Sequence, residues 1–176
     1  MDDEQLMMRS AEGDMDAFEQ IVLRHQRGAL GVAYRFLGDR VRAEDVVQEA
    51  FLKILAAAPG YKPAARFRTY LFGIVWRLCI DRYRRKKPER LVADGSSLEG
   101  HSEAPGERMR RAEAAERVRA AIAGLPPRQR MAIILRHYEE MSYDDIARAT
   151  RCSPKAVEAL LRRARQKLRD ALQDAL

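Results

Sequence analysis

Apolar residues recur along this chain at helical spacing. Phe18, Ile21, Val22, Val32, Ala33, Phe36 and Leu37 fall on one stripe, and Gly38 suits its stop. Ala43, Val46, Val47, Ala50, Phe51, Ile54 and Leu55 form a second, closed by Pro59-Gly60. Phe67, Tyr70, Leu71, Ile74, Val75 and Leu78, with Cys79, form a third that runs into the basic stretch Arg82–Lys87. No alternating strand pattern and no Asn-Gly or Asp-Gly hairpin signal interrupts them. The pattern predicts an all-α fold.

Residues 88–107 break the periodicity. Pro88, Gly95, Ser96, Ser97, Gly100, Ser102, Pro105 and Gly106 stand among few apolar residues, a composition that reads as a flexible linker. Helices resume near Arg108, with a stop at Gly124 and a new start at Pro126-Pro127. This divides the chain into two small helical domains, residues 1–88 and 108–176, joined by a linker over 89–107. Each half has little core of its own and should gain stability from partners.

The stretch Ser142–Leu168 predicts a helix-turn-helix. Ser142 can cap a short helix, with Asp145 three residues on. Ala147 supplies the small residue that a close helix crossing needs. The turn Thr150-Arg151-Cys152 follows; Ser153 caps the second helix and Pro154 opens it. Val157, Leu160, Leu161, Ala164 and Leu168 make the buried stripe of that helix. Lys155, Glu158, Arg162, Arg163 and Arg165 occupy its other face. In a recognition helix the N-terminal residues meet base edges and the later arginines hold phosphates.

Composition narrows the class. Hydrophobic residues make up 47% of the chain, too many for a wholly disordered one. Charge-free stretches such as residues 54–61 and 69–76 reach only eight residues, against about 20 for a membrane span. The acidic N-terminus is the opposite of a signal peptide. Two distant cysteines and three scattered histidines give no disulfide framework and no metal-ligand spacing. Cys79 and Cys152 read as fillers of core gaps. No cofactor, metal or catalytic site is expected, and the location expected is cytoplasmic.

The net charge of +7 is unevenly spread. Residues 2–20 carry seven acids and one base. Residues 62–90 carry ten bases and two acids, and residues 151–169 seven bases and one acid. Two basic blocks fit two contacts on one polyanion; two solvated helix faces are the alternative. Tyr61, Phe67, Tyr70, Trp76 and Tyr83 lie within the first block, where aromatic rings can stack unpaired bases. Phe67 and Tyr70 also fit the third helical stripe, which favours a core position for both.

In this order the motifs resemble an extracytoplasmic-function sigma factor over nearly the whole chain. Ala17–Gly38 resembles the first helix of that family's domain two. The run Ala43–Leu52 resembles its polymerase-docking helix. Phe67–Leu71 with Ile80–Arg85 resembles the promoter-melting segment and its basic end. Leu125–Arg130 and Ser142–Ala147 resemble the opening of domain four, and Ser153–Glu158 with Arg163–Arg165 resembles its recognition helix. Three positions depart from the family's usual residues: Arg77 stands for Asn, Tyr70 for Trp, and Arg151 for Gly at the turn.

The resemblance implies core RNA polymerase as partner: the clamp of the largest subunit for domain two and the flap of the second largest for domain four. It implies polymerase contacts at Asp45, Val46, Gln48, Glu49, Phe51 and Leu52. It implies −10 DNA contacts at Arg66, Arg68, Tyr70, Arg77, Asp81, Arg82, Arg84 and Arg85. For −35 DNA it implies Ser153, Lys155, Ala156, Glu158, Arg162, Arg163 and Arg165. The loop Ala57–Arg66 would hold a flipped-out base. Promoter DNA and an anti-sigma factor complete the implied partners, and the implied role is non-enzymatic promoter recognition and opening. A helix-turn-helix regulator, or a sigma-like adaptor that does not open DNA, is the alternative.

Overall fold

The computed structural model describes residues 1–85 and 104–173. Eight α-helices are seen among them: α1 Asp3–Ala11, α2 Met15–Leu37, α3 Arg40–Ala57, α4 Phe67–Arg85, α5 Pro105–Ala123, α6 Pro127–His137, α7 Tyr143–Thr150 and α8 Pro154–Gln173. A 3-10 turn, Ala58–Gly60, follows α3.

Local chemistry sets most of the boundaries. Asp2 and Gln5 form a reciprocal capping box at the start of α1. Asp14 and Asp39 cap α2 and α3 through Ala17 N and Arg42 N. Gly38 ends α2 in the left-handed conformation, φ 68°, and its N–H returns to Tyr34 O. Pro127 opens α6. Ser142 and Ser153 accept from Asp145 N and Ala156 N, both at 3.1 Å, so each helix of the predicted helix-turn-helix starts where its serine stands.

Three features differ from the sequence reading or extend it. Residues 3–11, read only as acidic chain, form α1, because Leu6 and Met7 bury completely in the core. Helix α5 begins at Pro105, inside the stretch read as linker, since the first turn of a helix tolerates proline. Residues 86–103 lie outside the described residues. They include most of the predicted linker and Lys86, Lys87 and Arg90 of the first basic block.

One apolar core runs through both halves, from Leu6 and Ile21 through Phe36 and Leu71 to Ile134, Ile146 and Leu161. The partner that each small half lacks is the other half. Helices α5 and α6 pack on α2, and α7 packs on α4. At the seam Arg130, 5% exposed, donates to the carbonyls of Phe36 (2.9 Å), Leu125 (3.1 Å) and Ala123. Phe36 O belongs to the last turn of α2, which has no intrahelical donor for it. Burial pulls the Arg130 guanidinium below its ordinary value, and the neighbouring Tyr83 phenol opposes that shift.

Candidate nucleic-acid interface

Helix α4 is anchored at both ends. Its first N–H, on Phe67, donates to Glu4 Oε1 of α1 at 3.0 Å. Near its other end Arg42 donates to Arg82 O at 2.8 Å, and Arg82 donates to Glu49 Oε2 at 2.8 Å. Arg82, Arg84 and Arg85 crowd the last turn, where the negative end of the helix dipole favours cations.

The eight residues expected to meet −10 DNA fall into distinct environments. Arg66, Arg77, Asp81, Arg84 and Arg85 are exposed. Arg68 is exposed but paired with Glu139, and half-buried Arg82 is paired with Glu49. Tyr70 is half-buried against the Tyr61 and Phe67 rings, with centroids 5.6 and 6.4 Å away. Phe67 and Trp76 are core residues, as the helical stripe favours for Phe67; Tyr83, at 39%, stays exposed. Half-buried Tyr61 keeps its hydroxyl in the interior without a hydrogen-bond partner, and burial raises its pKa. Arg77 faces a like charge. Partial desolvation, then the positive charge of Arg151, holds its guanidinium below the ordinary value.

The second basic face lies on α8. Ser153, Lys155, Glu158, Arg162 and Arg163 are exposed, and Ala156 and Arg165 are half-buried. Val157, Leu161 and Ala164 turn inward as the stripe requires. Arg151 does adopt the left-handed conformation, φ 54° and ψ 53°. A non-glycine residue there costs about 1 kcal/mol. Its N–H still closes the helix onto Arg148 O and Ala147 O. Cys152 touches Thr150 Oγ1 at 3.3 Å; Cys79 is fully buried, which pushes its thiol up to about 12.

Of the residues expected to meet polymerase, Gln48, Phe51 and Leu52 line an open groove of about 520 Å³ between α2 and α3, floored by Phe18, Val22, Leu30, Val47, Phe51 and Leu52. Asp45, Gln48 and Leu52 are exposed, Glu49 is half-buried and Phe51 is 7% exposed. Val46 is fully buried and serves the core of α3. The α2 side of the groove is absent from the sequence reading, where Phe18 and Val22 stand in a core stripe and Leu30 is not singled out. Also absent are the contacts that join the halves: Thr69 donates to Asp145 Oδ1 at 3.1 Å, and Arg68 donates to Glu139 Oε2 at 2.8 Å.

Two family models match the chain: Sigma-70 region 2 over residues 21–89 and Sigma-70, region 4 over residues 115–168. The RNA polymerase sigma-H factor of Pseudomonas aeruginosa is 35% identical, with 99% of this chain and 95% of that protein covered. The ECF RNA polymerase sigma factor SigW of Bacillus subtilis is 31% identical over 93% of this chain and 92% of its own. Among solved structures, CnrH in complex with the cytosolic domain of CnrY superposes with a TM-score of 0.74 at 29% identity, covering 98% of this chain and 97% of that one. The sigma factor RpoE of Bartonella quintana, in complex with the anti-sigma factor NepR, shares the fold at a TM-score of 0.69 and 24% identity, covering 89% and 96%. The chain belongs to the sigma-70 family, in its extracytoplasmic-function branch.

Proposed function

We propose that this chain is a dissociable sigma subunit that directs bacterial RNA polymerase to specific promoters and starts transcription there. One observation carries the reading: a helix-turn-helix with an exposed basic recognition helix shares the chain with a second, separate basic helix, α4, and with an apolar groove between α2 and α3 rimmed by Gln26, Arg27, Glu44 and Gln48. A simple helix-turn-helix regulator accounts for α7 and α8 and leaves α3 and α4 without a task.

In this reading α8 reads the −35 element in the major groove. Lys155 and Glu158, in its first turns, are placed for base edges, and Arg162, Arg163 and Arg165 for phosphates. Helix α4 and the loop before it take the −10 element. Arg66, Arg77, Arg84 and Arg85 supply backbone contacts, and Tyr83 offers a ring for an unstacked base. Strand opening draws on binding energy, with no catalytic step by the sigma subunit itself.

Gln48 and Leu52 in the α2–α3 groove, with exposed Asp45 on the same helix, are the contacts for the clamp of the largest polymerase subunit. Apolar anchors supply affinity in such a surface and charges set orientation. The second half engages the flap of the second-largest subunit. CnrH and RpoE, which share this fold, are seen in complex with the cytosolic domain of CnrY and with the anti-sigma factor NepR. An anti-sigma factor is the corresponding partner here. The site of action is the cytoplasm; among the described residues no helix is long and apolar enough to cross a membrane.

Run-off transcription with core polymerase, this chain and a linear promoter fragment tests the reading. The expected result is a specific transcript that requires the chain. An equally strong transcript without it overturns the proposal.

A further inference from the structure

The loop before α4 has no helix cap of its own. The carbonyl of Arg66 accepts from Thr69 N at 2.9 Å and from Tyr70 N at 3.2 Å, which makes Arg66 the N-cap of α4. Arginine offers no side-chain acceptor, and neither do Lys62, Pro63, Ala64 and Ala65. Caps are normally Ser, Thr, Asp or Asn, whose oxygen takes one of the unsatisfied N–H groups of the first turn. Here an oxygen comes from another helix. Half-buried Glu4 of α1 takes the Phe67 N–H at 3.0 Å, 63 residues away along the chain. Its charge also meets the positive end of the α4 dipole.

Glu4 is itself held in place. Its neighbour Asp3 accepts from Arg24 Nη1 at 3.0 Å and lies 2.7 Å from His25 Nε2, both on α2. The His25 ring lies 5.0 Å from the Phe67 ring. Leu6 and Met7, further along α1, bury completely. Helix α1 also packs on the 3-10 turn Ala58–Gly60. One helix therefore grips the loop at both ends, by packing at that turn and by the Glu4 carboxylate at Phe67. Between these ends the Tyr61 ring lies 5.6 Å from Tyr70, and Tyr70 lies 6.4 Å from Phe67. Burial, and then the charge of Glu4, raises the pKa of the Tyr61 phenol, so the carboxylate acts on this ring cluster too.

We infer that Glu4 is a positioning residue for promoter opening: from α1 it fixes residues 61–66 and the first turn of α4 in the form that receives the extruded −10 base. The inference rests on the sigma reading for the base and for opening; the tether itself does not. Its physical basis is preorganisation, because a loop already held in its binding form loses less freedom when a base enters. Glu4 touches no DNA in this scheme. It supplies an acceptor at a set reach. A neutral side chain of the same length should therefore serve, and a charged but shorter one should not. Neither α8 nor the α2–α3 groove includes Glu4, so −35 binding and polymerase docking do not depend on it.

Glu4→Asp and Glu4→Gln in the full chain separate reach from charge. Aspartate suits the first turn of α1 and keeps the charge, one methylene short. Glutamine keeps the acceptor at full length. Hydrogen exchange of the free chain, read by mass spectrometry, should be about fivefold faster over residues 61–70 in Glu4→Asp, the loss typical of a missing cap, with α3 and α8 unchanged. With core polymerase on a linear promoter fragment, permanganate reactivity of thymines in the −10 region should fall by a similar factor in Glu4→Asp. It should stay near wild type in Glu4→Gln. Co-elution with core polymerase and binding to a −35 duplex should be unchanged in both. The inference is overturned if Glu4→Asp exchanges and opens DNA like wild type, or if Glu4→Gln is as impaired as Glu4→Asp. It is overturned equally if Glu4→Asp loses core assembly in proportion to opening. Faster exchange in Glu4→Asp beside a wild-type chain that opens no promoter upholds the tether and overturns its part in opening together with the sigma reading.

Discussion

Arg82 is bonded twice to α3: its guanidinium donates to Glu49 at 2.8 Å and its carbonyl accepts from Arg42, in the first turn, at 2.8 Å. The hydrogen bond from Arg82, with its charge and that of Lys53, holds the Glu49 carboxyl below its ordinary value of 4.5 against the opposing effect of burial. A carboxylate with a depressed pKa stabilises the fold above its ordinary value and loses that contribution as pH falls through the lowered one. The carboxylate is 40% exposed, so the pair is worth about 0.2–1 kcal/mol. Glu49→Gln should therefore melt slightly below wild type at neutral pH, and the two melting temperatures should converge as pH falls below 4.5 and through the lowered value. Thermal circular dichroism across that range decides it; an undiminished gap in acid would show that the pair is not the cause.

Arg130 is the deepest charge that the structure describes at the seam. Arg130→Ala would leave the carbonyls of Phe36, Ala123 and Leu125 without their donor and open space beside the Phe36 and Tyr83 rings. Loss of several charge-assisted bonds at a buried site costs about 2–4 kcal/mol. Urea denaturation should show that loss, with Arg130→Lys intermediate, since one ammonium cannot reach all three acceptors. Equal midpoints for wild type and Arg130→Ala would remove Arg130 from the seam's stability.

Legibility in the sequence followed range. Caps and stops are local, so Ser142, Ser153, Gly38 and Pro127 mark their helices in the chain itself. The basic face of α8 is equally plain, because one helix carries both its buried stripe and its arginines. Helix α1 escaped because its nine residues hold too few apolar positions to show a period. The seam escaped for a different reason. Thr69 and Asp145, or Arg68 and Glu139, are single polar residues on separate helices or loops, and neither member of a pair announces the other. Two basic blocks point to two modules; nothing in their spacing reveals that α7 of one packs on α4 of the other.

Asp45 is exposed near the α2–α3 groove, on the surface assigned to polymerase. Asp45→Arg reverses its charge without touching the core. Helical circular dichroism and melting should stay within about 0.5 kcal/mol of wild type. Assembly with core polymerase, read by size-exclusion co-elution, should weaken severalfold, because like-charge juxtaposition at an interface opposes docking. Normal co-elution would take this end of α3 out of the docking surface.

On α8, Lys155 and Arg163 are both exposed yet are assigned different tasks by their places along the helix. Lys155 follows the Ser153 cap by two residues and lies where a recognition helix enters the major groove; Arg163 lies further along, where phosphate contacts are made. Lys155→Ala should therefore weaken binding to a −35 duplex and relax preference at one base position, by about 1–3 kcal/mol of discrimination. Arg163→Ala should weaken all sequences alike and reduce the slope of log affinity against log salt by about one. Neither change should alter polymerase affinity at the groove, which is built from α2 and α3. Fluorescence anisotropy over a salt series, with duplexes substituted one base pair at a time, separates the two effects. A uniform loss from Lys155→Ala together with an unchanged salt slope for Arg163→Ala would mean that α8 approaches DNA by another face.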